Sequence, residues 1–174
     1  DVKYLEAFGL WLRTLGEDAE LLAGVLSIPE LPLEARQAAA GGLNYLFKSL
    51  DLIPDGIDDI GYLDDAFVLR VAAAQAMREA GGTDTGAGRL ADEEALVKEF
   101  LGTAFPRLEK YVTGLRTGAA RGRTVQEIVQ SDRQLNDFLG DVKGFAAAYQ
   151  APGFTRDGKN LVKLRAFFDA KLPK

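Results

Sequence analysis

The chain has 174 residues, of which 47% are hydrophobic and 27% charged, as is ordinary for a folded domain with a sizeable core. It contains no cysteine and no histidine, which excludes disulfides, thiolate nucleophiles, Ser-His-Asp triads and zinc sites built on either residue. Any metal site must use oxygen ligands, which favours magnesium, calcium or manganese.

The net charge of −5 is divided unevenly along the chain. Residues 1–104 carry 8 basic and 19 acidic groups, a net of −11, whereas residues 105–174 carry 13 basic and 7 acidic groups, a net of +6. We favour the interpretation that the two halves dock through complementary faces; the alternative is an acidic partner for the second half. Since no basic block is dense enough for a nucleic-acid tract, no nucleic-acid partner is expected.

Apolar residues recur at helical spacing throughout and predict an all-α fold, a compact bundle of six or seven helices. In the first half, Gly16 is expected to end the first helix, and a second helix follows over Glu17–Ser27. The third is predicted at about 33–50 and the fourth at about 63–80.

The second half begins after a glycine-rich linker at 81–88. A fifth helix starts near Asp92, and Pro106 is expected to kink or split it, because an interior proline costs about 3 kcal/mol. Thr124 and Glu127 are spaced as a capping box for a sixth helix, and a last helix is predicted at about 160–171.

These elements predict one helical domain over 1–174, with a hairpin at about 33–80 and C-terminal helices at about 90–171. No apolar run reaches the roughly 18 residues of a membrane span, and no leader of the secretory type stands at the start. A cytoplasmic location is therefore expected.

Two adjacent glycines, Gly41 and Gly42, lie inside the predicted third helix. Each costs on the order of 1 kcal/mol relative to alanine there. We interpret them as helix-packing residues that admit another helix, with the alanine face Ala72–Ala74 as the first candidate. The alternative is a ligand lying against bare backbone.

The segment Asp51–Asp65 combines six aspartates with large aliphatic residues and joins the third and fourth helices. Pro54, Gly56 and Gly61 predict a turn. In a structural interpretation, Asp64 and Asp65 cap the start of the fourth helix and meet its dipole, while Asp55 holds the turn through its side chain.

A chemical interpretation addresses the repulsion among these groups, because two carboxylates ~6 Å apart repel by about 3 kcal/mol at an effective dielectric of 20. A divalent metal would offset this repulsion, with Mg²⁺ or Ca²⁺ as the candidate cofactors. The pattern is no EF-hand, since Ile53 and Tyr62 occupy positions three and twelve of the loop. The candidate metal ligands are Asp51, Asp55, Asp58, Asp59, Asp64 and Asp65.

The stretches Asp51-Leu-Ile-Pro-Asp55 and Gly61-Tyr-Leu-Asp-Asp65 resemble the signature of the YkvA-like bacterial family, a domain of unknown function. The resemblance covers about residues 38–75 and implies a helical hairpin around an aspartate turn. Ser49 and Asp58 stand where the family often has proline. No activity, substrate or catalytic residue comes with the resemblance.

The absence of histidine, of cysteine and of a recognised catalytic motif favours a non-enzymatic scaffold that acts through a protein partner or self-association. The alternative is a divalent-metal-binding protein, or a metal-assisted hydrolase that uses the carboxylates of the turn. Peripheral membrane contact is not favoured, because an acidic chain is not attracted to anionic lipid. No catalytic residue is proposed from the sequence.

Overall fold

The computed structural model describes residues 1–49, 51–57 and 59–174. Within these residues the predicted all-α fold is confirmed, with seven helices of ten residues or more, one of six residues, and short 3-10 turns. A two-residue antiparallel hairpin pairs β1 (Ala119–Ala120) with β2 (Arg123–Thr124). The helices are α1 (Val2–Ala23), α2 (Leu33–Asn44), α3 (Leu63–Arg78), α4 (Gly88–Leu101), α5 (Phe105–Gly114), α6 (Val125–Gln130), α7 (Asp132–Ala148) and α8 (Gly158–Lys171).

Helix α3 lies at the centre of the bundle, where it packs against α1, α2 and α4. Of its 16 residues, 14 are buried, so the helix has almost no solvent face. Phe67 on this helix contacts Phe8 and Trp11 of α1, with ring centroids 5.0 and 5.9 Å apart, and stacks on Phe168 of α8 at 5.1 Å. These rings tie both ends of the chain to the central helix.

Both glycines of α2 lie against neighbouring backbone or side chains. A Cβ atom at Gly42 would lie 2.4 Å from the Cβ of Ala72 on α3, so α2 and α3 approach more closely than a side chain at this position permits. A Cβ at Gly41 would lie 3.2 Å from the backbone nitrogen of Arg116. Close packing therefore offsets the helical cost of both glycines.

The predicted end of the first helix at Gly16 is wrong, because α1 continues to Ala23 and a 3-10 turn over Gly24–Ser27 follows. A Cβ at Gly16 would lie 3.2 Å from Cα of Ala146 on α7. Gly16 is thus a site of helix–helix contact rather than a helix end.

The predicted third helix is shorter than expected. Helix α2 ends at Asn44 and is followed by a 3-10 turn over Tyr45–Phe47. Leu50, where the prediction ended, lies outside the described residues. The fourth predicted helix corresponds to α3.

The predicted break at Pro106 is confirmed. Helix α4 ends at Leu101, and Gly102 takes a positive φ of 55°. Pro106 lies in the first turn of α5, where a backbone N–H would have no intrahelical partner, so its absence costs no hydrogen bond.

None of the helices in the described ranges combines the length and apolarity that crossing a membrane requires.

The capping box at the start of α6 is confirmed: the Thr124 side chain accepts from the backbone N–H of Glu127, whose carboxylate accepts from the N–H of Thr124. The predicted single helix beyond it is wrong, because Ser131 adopts an extended backbone between α6 and α7. Its side chain accepts from the N–H of Gln134 and begins a new helix there.

Candidate metal centre

The aspartate-rich segment forms a turn held onto the bundle by apolar side chains. Leu52, Ile53 and Ile60 are buried beneath it. The backbone N–H of Ile57 donates to the carbonyl of Pro54 at 3.1 Å, so the chain reverses within the segment. The apolar residues thus fix a turn whose carboxylates lie between the end of α2 and the start of α3.

Gly61 is required by the turn. A Cβ atom at this position would lie 2.3 Å from the backbone oxygen of Asp55, well inside van der Waals contact. Gly56 differs, because a Cβ there meets nothing within 4 Å. Pro54 is exposed, and Tyr62 turns the chain into α3 with a left-handed φ of 70°.

Three carboxylates converge at this turn. One oxygen from each of Asp51, Asp55 and Asp65 lies within 4.8 Å of the other two. Asp55 is exposed and Asp51 half-buried, whereas Asp65, in the first turn of α3, is 2% exposed. The cluster therefore runs from solvent into the protein interior.

Asp64 lies beside the cluster and is held by hydrogen bonds. Its Oδ2 accepts from the hydroxyl of Tyr45 at 2.5 Å and from the backbone N–H of Ile53 at 3.3 Å. The hydroxyl of Tyr45 in turn accepts from the N–H of Leu52 at 2.7 Å. Tyr45 thus links the turn to the first residues of α3.

Buried oxygen atoms in this region lack hydrogen-bond partners. They are Oδ1 of Asp51, Oδ1 of Asp64 and Oδ2 of Asp65. Among the described residues, no lysine or arginine forms an ion pair with these three groups or with Asp55. An unpaired buried charge is costly, so the site requires protons or a cation.

The carboxyl pKa values reflect this lack of compensation. Burial, together with the charges of Asp64 and Asp55, raises the pKa of Asp51 to about 7. Burial raises the pKa of Asp64 to about 6, although the hydrogen bond from Tyr45 acts in the opposite direction. Burial and the neighbouring carboxylates raise the pKa of Asp65 well above its ordinary value, and burial raises that of Asp55.

Tyrosines around the cluster are affected by its charge. Burial, followed by the charges of Asp51, Asp64 and Asp65, raises the pKa of Tyr111 to about 12. The ring of Tyr111 lies 6.1 Å from that of Tyr45. The negative potential of the cluster therefore extends to α5.

Of the six predicted ligands, Asp51, Asp55 and Asp65 form the described cluster, and Asp64 lies beside it. The Oδ1 atom of Asp59 accepts from the backbone N–H of Thr155 at 3.1 Å, so this side chain ties the turn to the segment before α8. Asp58 lies outside the described residues. Asp64 and Asp65 do lie in the first turn of α3, but the N-cap residue is Tyr62.

A second buried charged group surrounds Arg70, which is completely buried in α3. Its guanidinium pairs with Asp18 at 2.9 Å and Glu93 at 3.2 Å, and lies 4.0 Å from the ring centroid of Trp11. Arg89 also pairs with Asp18, at 2.6 Å. The only sequence signal was an arginine interrupting an apolar run; Tyr45 gave none, because it reads as part of an apolar helix face.

Comparison with known proteins relates part of the chain to a family model. No curated protein and no solved structure matches the chain. A family model described as a protein of unknown function, DUF1232, matches residues 35–70. The match confirms the resemblance predicted for this part of the chain and includes Asp51, Asp55, Asp64 and Asp65. The stretch 35–70, which contains all six aspartates of the turn, is therefore similar to the DUF1232 family model.

Proposed function

We propose that the protein binds a divalent cation through Asp51, Asp55 and Asp65. One observation carries the proposal: three carboxylate oxygens converge within 4.8 Å, and one of them comes from a side chain that is 2% exposed and has an oxygen without a hydrogen-bond partner. Carboxylates are the ligands that hard divalent cations prefer. Lys48 acts against the repulsion among these carboxylates through its charge, and a bound cation would offset what remains.

The spacing is compatible with one coordination sphere. Calcium–oxygen distances of about 2.3–2.6 Å place opposite ligands about 4.6–5.2 Å apart, and magnesium requires about 4.0–4.2 Å. The upper limit of 4.8 Å among these oxygens lies within the calcium range. Water would complete the sphere on the exposed side of Asp55.

The positions of the ligands indicate a structural task for the cation. Asp51 and Asp55 belong to the turn, whereas Asp65 belongs to α3. A cation shared by all three would hold the turn against the central helix. We therefore propose a helical module whose hairpin is stabilised by a divalent cation.

Thermal unfolding of metal-stripped protein tests the proposal, with calcium, magnesium or manganese added at millimolar concentration. A cation that binds only the native state adds about 2.7 kcal/mol of stability at 100 times its dissociation constant. We expect a higher unfolding midpoint in the wild type and no rise in Asp55→Asn or Asp65→Asn. Asp59→Asn, a change of the same chemistry in the same turn, should retain the rise. An unchanged wild-type midpoint, or an equal rise in Asp65→Asn, would contradict the proposal.

The protein-interaction role stays a prediction. The large hydrophobic side chains that are exposed are scattered over α1, α2, α3 and α8, and single exposed hydrophobics are normal on a protein surface. These residues are Val2, Leu10, Leu33, Met77 and Val162. The hydrolase role likewise stays a prediction.

A further inference from the structure

Tyr111 also lines a cavity of about 320 Å³. Helix α5 contributes to the lining, together with the residues that follow it and with Pro173 and Lys174 beyond α8. Lys48, which precedes the aspartate turn, lines it as well. Segments distant in sequence thus meet around one concave surface.

The charged side chains that line this cavity are all cationic. They belong to Lys48, Lys110, Lys174 and Arg107. Arg107 is already engaged, since its guanidinium pairs with Asp169 at 3.1 Å and donates to the carbonyls of Asp169, Leu172 and Pro173. The three lysines form no ion pair with a carboxylate of the described residues. Lys48 is shared with the nearby carboxylate of Asp51, on which its charge acts, whereas Lys110 and Lys174 are available to an anion.

The rest of the lining is apolar or aromatic. Tyr111 is half-buried, Leu115 is buried, and Gly114 and Gly118 add lining without side chains. At about 320 Å³, the cavity lies at the lower end of the size range for small-molecule sites in proteins. Its size and lining suit a small molecule with one flat apolar part and one anionic group.

We propose that this cavity binds a small phosphate monoester, with the phosphate between Lys48 and Lys110 and the organic part against Tyr111 and Leu115. Lysine is a common phosphate ligand in proteins because its ammonium is a compact charge with three donors. Anion binding here has to overcome the charge of the neighbouring carboxylates, which reaches Lys48 and Tyr111. Lys110, Lys174 and Arg107 provide the opposing positive charge. The inference does not depend on cation binding by the aspartates.

Isothermal titration with phenyl phosphate tests the inference, in the presence of a chelator so that the cation plays no part. Phenyl phosphate is expected to bind more tightly than inorganic phosphate, and benzyl alcohol, which has the ring without the anion, should not bind. Since a hydrogen bond from a charged group is lost, Lys110→Gln should weaken binding about tenfold or more. Lys110 is exposed, so the variant should fold as the wild type does.

The matched control is Lys163→Gln, which removes the same charge from an exposed position on α8 outside the cavity. It should leave the affinity for phenyl phosphate within about twofold of the wild type, because a distant surface charge is screened by salt. If both variants lose affinity for phenyl phosphate equally, the loss is explained by the change in net charge, and the inference is overturned. No heat of binding in the wild type at millimolar phenyl phosphate, with no chemical-shift change at Tyr111, would also overturn it. If phenyl phosphate binds in the presence of chelator but no cation raises the unfolding midpoint, the cavity proposal stands and the metal proposal fails.

Discussion

Replacing Asp65 by asparagine should stabilise the metal-free protein at alkaline pH. The ligand oxygens of Asp65 and Asp51 lie within 4.8 Å of each other, and two unit charges at that distance repel by about 3.5 kcal/mol at an effective dielectric of 20. Asparagine has nearly the same shape, carries no charge and donates hydrogen bonds to the neighbouring carboxylates. We expect Asp65→Asn to raise the free energy of unfolding by about 3 kcal/mol at pH 8.

The same variant should lose this advantage as the pH falls. The folded protein keeps protons on these aspartates, whereas the unfolded chain releases them above about pH 4. The stability that these retained protons contribute to the metal-free protein is fully present below pH 4. It is lost as the pH rises through about 6 and 7, the pKa values of Asp64 and Asp51. Near pH 4 the wild type and Asp65→Asn should therefore be almost equally stable.

Urea denaturation at pH 4 and pH 8, in the presence of a chelator, measures both expectations. Asp59→Asn provides the control, since Asp59 lies in the same turn but accepts from Thr155 instead of joining the cluster. Its stability relative to the wild type should change little between the two pH values. If Asp65→Asn is no more stable than the wild type at pH 8, the repulsion is absent and the reasoning fails.

Two further substitutions test the packing of the turn and the buried charges by the same denaturation assay. Gly61→Ala should cost more than about 2 kcal/mol, because its Cβ would meet a backbone oxygen at 2.3 Å, whereas Gly56→Ala should stay within about 0.5 kcal/mol. Asp18→Ala should cost about 3–5 kcal/mol by leaving buried Arg70 without its closest partner, whereas exposed Glu17→Ala should change little. Equal losses within either pair would contradict these assignments.

Local signals in the sequence predicted the helical architecture well. The break before Pro106 and the capping box of Thr124 and Glu127 depend only on residues close in sequence. Gly16 was misread because the reason for its glycine lies on α7, 130 residues away. Ser131 was missed, although the Ser-x-x-Gln spacing to Gln134 was visible as a cap signal.

The sequence predicted that aspartates form the candidate site, but it did not predict which of the aspartates belong to it. All six aspartates lie within fifteen residues of one another, so proximity alone could not rank them. Asp59 instead accepts a hydrogen bond from the backbone N–H of Thr155, which lies 96 residues away in the sequence. Asp64 is distinguished from Asp65 by Tyr45, whose hydroxyl bonds only one of the two. Such selection arises from tertiary packing and leaves no trace in local spacing.

The burial of α3 on every side has a consequence for how the protein's motions can be observed. A helix with 14 of 16 residues enclosed has no face along which it can separate from the bundle while its neighbours stay in place. Its backbone amides can then exchange hydrogen with solvent only when the whole bundle opens. The slowest-exchanging amides of α3 therefore report the free energy of global opening in native buffer.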